Sequence, residues 1–481
     1  MKLFYKACVT NRQQYGSFRS FMSILSQNNT MKRIRIFVLL SLLIPAAGYA
    51  QPGSTGDLLT LDECISAGLE NNIEIIRNQL AVMRAESFRK EAYGQFLPNL
   101  SATGSWTRFD RDRIVDIVDL QRIDDLGILQ IKSRNSFSLS ASSSLTLFDG
   151  MANFNTVDQT VLEVQSAELA LARAKQNFVY NVQQSYYNAL RLKQLVVVND
   201  SNLSRAQQQL ARIEQFNAVG SVPRADVLRQ QVEVGRQELQ YQQALNNYEN
   251  AVIDLLDLIG DNPSRAVTLD DGLAAGMLGE SEINQYRNAL GTEDELYAEA
   301  FINRLDLASS ELQKESAEKG VDIAFSGYLP SLTAGARYSW TDYQLNQFIV
   351  KEGDFSYGLT LSIPILSNLR TSASVQRAEI AVRENEESHA VLLRSVKAGV
   401  KKAVNSLAYA EKNVLISKQT LQSAKEDQRI AAERYTIGSG TLLELVTANA
   451  NLTAAESDVV NATFDYLIAR KLLDNQIGNE Q

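Results

Sequence analysis

The sequence predicts a mixed α/β membrane protein in which long coiled-coil helices are combined with a few transmembrane β-strands. Three observations lead to this fold class. The chain opens with an export signal, four segments alternate between apolar and polar residues, and no proline occurs at 99–222 or after residue 364. Alternation with period two is typical of amphipathic strands. The absence of proline permits long uninterrupted helices, because proline removes a backbone donor inside a helix.

The first fifty residues have the pattern of an exported protein. They contain seven Lys/Arg residues and no Asp or Glu. A basic start at Met31 is followed by the apolar run Ile36–Ile44, which is too short to span a bilayer. Small residues then precede a cleavage point after Ala50. We interpret 31–50 as a signal peptide and 1–30 as a non-native upstream extension.

The charge and cysteine content of the remaining chain narrow the function classes. It carries 40 basic and 56 acidic residues, a net charge of −16, which argues against nucleic acid as a partner. Cys64 is the one cysteine after residue 50, so it cannot form an internal disulfide, and its apolar neighbours predict a packed helical face. No transmembrane helix is predicted after residue 50. An exported chain that reaches a membrane without one uses strands or a peripheral contact.

The chain contains two copies of one unit. The matched pairs are Pro98 with Pro330, Phe148 with Leu366, Gly220 with Gly438, and Gly260 with Gly478. The spacing is 232 residues at the prolines and 218 at the later pairs, so the first copy has a longer loop before Phe148. A constant spacing over such a distance indicates an internal repeat.

The repeat and the local patterns predict the domain organisation. The first repeat covers 57–260 and consists of a helix, a β-hairpin at 98–148 and a long helical hairpin at 151–260. A connector covers 261–294. The second repeat covers 295–478 and consists of a helix, a β-hairpin at 330–366 and a long helical hairpin at 368–478. In the first helix of each helical hairpin, apolar residues recur every three or four positions. About 65 residues at 1.5 Å each give a rod of roughly 100 Å, which predicts a coiled-coil element.

The strands of both β-hairpins place apolar residues on one face and small uncharged residues on the other. A run of about ten such residues suits a transmembrane strand, although a half-buried soluble sheet alternates in the same way. Four strands cannot close a barrel, whereas three chains supply twelve. Trp106 and Trp340 both lie on these strands, as interfacial aromatic anchors do. We interpret the charged segment 109–135 as a solvated surface loop.

The helical hairpins turn at two similar glycine-containing sequences, and these turns complete a family pattern. The residues that carry it are the two Leu-Pro-x-Leu strand starts, Leu147–Gly150, the run Tyr435–Leu445, the weaker run Gly220–Leu228 and the opening Leu59–Cys64. With these features the sequence resembles the TolC-type outer-membrane efflux protein (outer membrane factor) family over about residues 59–478.

The resemblance implies a homotrimer with a 12-stranded barrel in outer-membrane lipid and a twelve-helix coiled-coil barrel through the periplasm. It further implies a passive exit duct of a tripartite efflux system. In that family the helix turns contact a periplasmic adaptor (membrane fusion) protein, which sits on an inner-membrane pump of RND or ABC type. Docking of the adaptor opens the closed end. Small-molecule or metal efflux and type I protein secretion remain alternatives for the cargo.

The resemblance also assigns residues at the turns. It implies a gate or constriction at Tyr435 and Glu444. The residues that it implies as adaptor-contacting are Gly220, Ser221, Val222, Asp226, Leu228, Gly438, Ser439, Gly440 and Leu445. Two family positions differ here, because Gly440 replaces an expected arginine and Thr447 an expected acid. Other roles stay open: Glu444 as a solvated helix residue, Tyr435 as a packing residue, and Asp226 as an acid that favours a helix start.

No motif in the sequence predicts catalysis. The single histidine, His389, has no second histidine or cysteine nearby to make a zinc site. Neither a P-loop nor a complete dinucleotide-binding glycine motif is present. We therefore predict no enzymatic activity, no metal site and no cofactor. The alternative to a channel is a periplasmic coiled-coil structural protein without a pore.

Overall fold

A computed structural model of the chain describes residues 57–117, 129–270, 272, 279–342 and 353–479. All of these residues belong to one compact unit. The predicted signal peptide at 31–50 and the predicted upstream extension at 1–30 lie outside the described residues. None of the helices in the described part of the chain combines the length and apolar composition of a membrane span.

The helices and strands follow the same order in both halves of the chain, except that the helix Glu280–Ala289 has no counterpart in the first half. In sequence order they are β1 (Asp57–Leu59), α1 (Leu61–Asn71), α2 (Ile73–Gly94), β2 (Asn99–Ile117), β3 (Leu129–Phe148), α3 (Ala152–Ala218), α4 (Arg224–Leu258), β4 (Val267–Leu269), α5 (Glu280–Ala289), α6 (Glu293–Asn303), α7 (Leu305–Phe325), β5 (Ser331–Asp342), β6 (Asp354–Ser362), α8 (Arg370–Thr436) and α9 (Leu442–Ile477). This combination of long helices and antiparallel strands confirms the predicted fold class.

The long helices α3 and α8 have the same length and lie 218 positions apart in sequence. Each contains 67 residues and is followed by a turn and a second helix, α4 or α9. The ends of the second helices also match. Gly260 and Gly478 have φ angles of 73° and 81°, and the space beside each is filled by Asn71 or Asn303. Because only glycine adopts this backbone without strain, the repeat predicts where both hairpins end.

The two largest clusters of the buried core are centred on one repeat each. The first joins α1, α3 and α4 through Cys64, Val182 and Leu255, and the second joins α6, α8 and α9 through residues such as Val400 and Leu473. The packing helices α1 and α6 begin with the same reciprocal cap, in which a threonine hydroxyl accepts from the third residue's N–H and a glutamate accepts from the threonine N–H. These caps satisfy backbone donors that are otherwise unpaired at a helix start.

The four-stranded sheet has the order β2-β3-β5-β6, and every neighbouring pair is antiparallel. On the small polar face, Ser101 and Ser105 of β2 hydrogen-bond the hydroxyls of Ser142 and Ser138 at 3.0 and 2.7 Å. On the other face, large apolar side chains such as Leu100 are exposed. The sheet therefore has one apolar face with exposed side chains and one face of mainly small hydroxyl side chains, on which Arg337 also lies.

Two features of the strands differ from the sequence interpretation. The segment 109–135 is not wholly a loop, since β2 continues to Ile117 and β3 begins at Leu129, with an irregularity in pairing between Arg108 and Arg113. Clustered charges interrupt the alternating pattern there. The backbone hydrogen bonds between the strands still form, because they do not require alternating side chains. The second feature is the short parallel pair β1–β4, which three-residue segments could not reveal in the sequence.

Candidate functional site: the turns of the helical hairpins

The two hairpin turns have the same backbone hydrogen bonds. Gly220 and Gly438 both have a φ angle of 79°, which favours glycine. The next residue then closes each turn: the Ser221 N–H donates to the Phe216 carbonyl at 2.8 Å, and the Ser439 N–H donates to the Arg434 carbonyl at 2.9 Å. This pattern is that of a Schellman cap, in which the last carbonyls of a helix are satisfied by the chain that leaves it.

Each second helix begins with an acidic residue in its first turn. Asp226 is the third residue of α4, and Glu444 is the third residue of α9. The Glu444 N–H donates to the hydroxyl of the N-cap residue Thr441 at 3.2 Å. Carboxylates at these positions are stabilised by the helix dipole, typically by up to about 1 kcal/mol. The two acids are therefore equivalent in the repeat and share a local reason for being there.

A small apolar cluster joins the two hairpins behind their turns. Its buried members are Ile213, Val227 and Leu442, and Tyr435 packs against them as a partly buried side chain. The Tyr435 hydroxyl is buried and has no hydrogen-bond partner within the described residues. Burial and the negative charge of Asp226 raise the pKa of Tyr435. Tyr435 of α8 therefore lies within range of the charge of an acid on α4, across the contact between the two hairpins.

Glu444 lies on the other side of the second turn, with an arginine as its neighbour. Arg434 Nη1 and Glu444 Oε2 are 3.5 Å apart, and both side chains are about half exposed. Arg434 also donates to the Ser439 carbonyl at 3.2 Å. A Cβ atom at Gly440 would lie 3.1 Å from the backbone nitrogen of Tyr435, so this position favours glycine. The arginine that the family pattern expects at 440 is absent, and Arg434 supplies a cation near the acid instead.

The surfaces of the two turns expose apolar side chains. Val219 and Ile437, which precede the two glycines, are 79% and 78% exposed, and Leu228 and Leu443 are exposed nearby. Leu445, in contrast, is buried, so it supports the turn from inside. The sequence interpretation missed Val219 and Ile437. Their matched positions directly before Gly220 and Gly438 are the signal that could have identified them.

A layer of polar residues separates the small apolar cluster behind the turns from the main core. Arg205 on α3 and Glu456 on α9 form a two-pronged ion pair with nitrogen–oxygen distances of 2.7 and 3.4 Å. Beside it, Asn202 and Gln230 are buried, and each has one amide atom without a partner among the described residues. Arg205, Asn202 and Gln230 border a cavity of about 20 Å³, which is room for a single water molecule. Polar groups therefore contribute to holding the hairpins together at this level.

Comparison with known proteins matches both halves of the chain. A family model described as "Outer membrane efflux protein" matches residues 64–261 and 296–479. The chain is 23% identical to the outer membrane protein TolC of Vibrio cholerae over 67% of this chain and 72% of that protein. It is 22% identical to the pyoverdine export outer membrane protein OpmQ of Pseudomonas putida over 91% of this chain and 92% of that protein.

The fold is similar to solved structures over most of their length. The outer membrane protein VceC of Vibrio cholerae superposes with a TM-score of 0.69, at 18% identity, over 87% of this chain and 96% of that chain. The CmeC outer membrane channel of Campylobacter jejuni superposes with a TM-score of 0.69, at 17% identity, over 87% of this chain and 85% of that chain. At these identities the likeness is one of fold.

Proposed function

Because the chain belongs to the outer membrane efflux protein family, we propose that it is one subunit of a trimeric, passive exit duct. In this proposal the four strands of three chains form a closed barrel in the outer membrane, with the apolar face toward lipid. The long helices extend the duct into the periplasm. An adaptor protein docks at the hairpin turns and connects the duct to an inner-membrane pump that provides the energy.

The observation that carries this proposal is the matched pair of turns at the far ends of the helical hairpins. Both turns have the same backbone geometry, and both expose an apolar residue directly before the glycine, Val219 or Ile437. Two equivalent apolar tips on one chain suit a partner that contacts both hairpins in similar ways. We assign direct contact with the adaptor to Gly220 and Ser221 of the first turn and to the exposed residues of the second turn. The buried Leu445 supports the second turn from inside.

We propose that polar contacts near the tips keep the duct closed. Tyr435 lies within range of the charge of Asp226 across the hairpin contact, and Glu444 lies beside Arg434. Exposed ion pairs contribute only about 0–1 kcal/mol each, so a docking partner can replace them at low cost. Threefold symmetry would also bring three Glu444 carboxylates near one axis, where they favour cations over anions.

Single-channel conductance in planar bilayers tests the proposal. We expect small currents from the purified mature protein and larger currents from the double variant Glu444→Gln/Tyr435→Phe, because its closing contacts are weakened. The matched control is Glu433→Gln, which removes an exposed acid near the same turn and should leave the currents unchanged. Currents that do not change in the double variant would remove the gate assignment but keep the channel. A monomer that never inserts would favour a periplasmic structural protein instead.

For the cargo, the relatives favour small molecules over secreted proteins. OpmQ is named for the export of pyoverdine, and it is matched over nearly its whole length. Deletion of the gene should therefore sensitise cells to small toxic compounds, measured as lower inhibitory concentrations. Unchanged sensitivity together with the loss of a secreted protein from the medium would favour type I secretion.

A further inference from the structure

A cavity that is partly open to solvent lies in the second repeat, far along the helices from the hairpin turns. It has a volume of about 290 Å³ and lies between α5, α6, α8 and α9. Its walls are mainly apolar and include Ile283, Leu296, Leu407, Tyr466 and Leu473. This volume is at the lower end of the range for small-molecule sites, so the cavity accommodates a body about as large as one aromatic ring with a short chain.

The internal repeat allows two residues that line the cavity to be compared with their equivalents in the first repeat. In the first repeat, Tyr186 and Leu190 of α3 are fully buried and fill the core. At the equivalent positions, 218 residues later, α8 has Val404 and Ala408, and both line the cavity. Replacing an aromatic ring and an isobutyl group by smaller side chains leaves space that no other described side chain fills. The first repeat therefore provides an internal comparison in which the same position is closed.

The charge at the cavity is also reversed between the repeats. Lys193 of the first repeat donates to the Leu269 carbonyl at 2.9 Å. Its equivalent is Glu411, which lines the cavity and is only 7% exposed. Glu411 forms an ion pair with Arg287 through its Oε1 atom. A buried carboxylate needs a cation beside it.

Arg287 is a cation that can leave. Its side chain is about half exposed, so it can turn into water when another cation takes over the pairing with the buried carboxylate. The second carboxylate at the cavity, Glu293, already bonds Lys401 and the Tyr297 hydroxyl at 2.7 and 2.8 Å. Glu411 is thus the acid at this cavity whose cation is exchangeable.

We propose that this cavity binds a small amphiphilic amine. Its ammonium group replaces Arg287 on the Glu411 carboxylate, and its apolar body occupies the space lined by Leu407, Tyr466 and Ala408. Anions are excluded by the two carboxylates. A neutral molecule of the same shape makes the same apolar contacts but forms no ion pair with Glu411, so it binds more weakly. The proposal does not depend on the gate or on the cargo of the duct.

Ligand-observed NMR titration of the full chain in lipid nanodiscs tests the proposal, with phenethylamine as the probe and 2-phenylethanol as its neutral match. We expect the amine to bind wild type at least about tenfold more tightly than the alcohol. Glu411→Gln should remove that preference, and Arg287→Ala should strengthen amine binding because the competing cation is gone. Ala408→Leu, which restores the residue of the first repeat, should abolish binding of both probes.

Three results would overturn the site. These are no amine binding to wild type, equal binding of amine and alcohol, or an amine affinity that Glu411→Gln leaves unchanged. Glu387→Gln removes an exposed acid from the same helix and is the control for a general charge effect. If Glu411→Gln fails to fold, the opposite effects of Arg287→Ala and Ala408→Leu still decide the question. Normal conductance with no amine binding would refute this site while leaving the proposed function intact.

Discussion

At the residue scale, two buried arginines donate hydrogen bonds to backbone carbonyls at the C-terminal end of α9. Arg173 donates to the Asn475 carbonyl at 3.2 Å, and Arg304 donates to the Gln476 carbonyl at 3.4 Å. Arg304 also binds Asp306 through two nitrogens, at 3.0 and 2.6 Å. The end of a helix carries partial negative charge, so cations here are stabilising. Asp306 in turn balances the charge of Arg304, which is almost fully buried.

We predict that Asp306→Asn destabilises the protein in a pH-dependent way. Burial acts to raise the pKa of Asp306, but the hydrogen bonds and charge of Arg304 outweigh it and hold this pKa below its usual value. Since the unfolded value is near 4, the stabilisation is present above about pH 4 and is lost as the pH falls through the folded-state pKa. At pH 7 the free energy of unfolding should fall by about 2 kcal/mol, measured by guanidinium denaturation.

The same measurement at pH 3 should show a smaller difference between wild type and Asp306→Asn. Asp322→Asn, an exposed acid on the same helix, is the control and should change stability by less than about 0.5 kcal/mol. A difference that stays constant from pH 7 to pH 3 would contradict the ionic role of Asp306.

Polar contacts between residues that are far apart in sequence could not be predicted from the sequence. Arg205 and Glu456 are 251 positions apart, and Arg173 and Asn475 are 302 positions apart. Neither pair follows from local periodicity, because each depends on how two long helices are aligned side by side. Glu444 and Asp226 could be located from their turns, since a local motif determines their position. The acid–arginine pair at Glu444 could not, because the expected arginine position is occupied by Gly440.

At the element scale, the glycines that end the helices differ in what surrounds them. Gly478 has a left-handed backbone, and an added Cβ would lie 3.0 Å from the backbone of Asn303. Gly438 has a similar φ angle but open space around it. We predict that Gly478→Ala lowers the free energy of unfolding by about 2–3 kcal/mol and that Gly438→Ala lowers it by about 1 kcal/mol, because only the first adds a clash to the backbone strain.

Gly235 provides the matched control for these two variants. It lies inside α4 with helical backbone and no atom near the place of an added Cβ. Gly235→Ala should therefore stabilise the protein by up to about 1 kcal/mol, measured by the same guanidinium denaturation. Equal losses at Gly478 and Gly438 would show that backbone strain alone sets the effect and that contact with Asn303 is unimportant.

The elements themselves were predictable to different degrees. Long helices at α3 and α8 are predictable from the apolar periodicity, and the 218-residue spacing of Gly220 and Gly438 indicates that both end at equivalent turns. The pairing of β1 with β4 joins segments about 210 residues apart and has no sequence signal, since three residues are too few to show a period. The extension of β2 beyond Arg108 was missed because charged residues interrupt its alternation.

At the scale of the whole molecule, α2 has two apolar faces but packs only one of them. Ile75 and Ala92 are buried on the face toward α3. A second stripe, with the spacing of one helix face, stays exposed and consists of Ile73, Ile76, Leu80 and Met83. Water-exposed apolar stripes of this size are typical of surfaces that a partner covers. In the proposed trimer, that partner is the neighbouring subunit.

We predict that Leu80→Glu weakens the assembly of subunits without unfolding the chain. The side chain is about half exposed in the single chain, so the charge costs little there, but it would be buried between subunits. Native mass spectrometry of the detergent-extracted protein should show trimers for wild type and mainly monomers for the variant. Gln79→Glu adds the same charge at the adjacent exposed position outside the stripe and should remain trimeric. A Leu80→Glu protein that stays trimeric would mean that this stripe faces lipid, solvent or another protein, and that subunits associate through other helices.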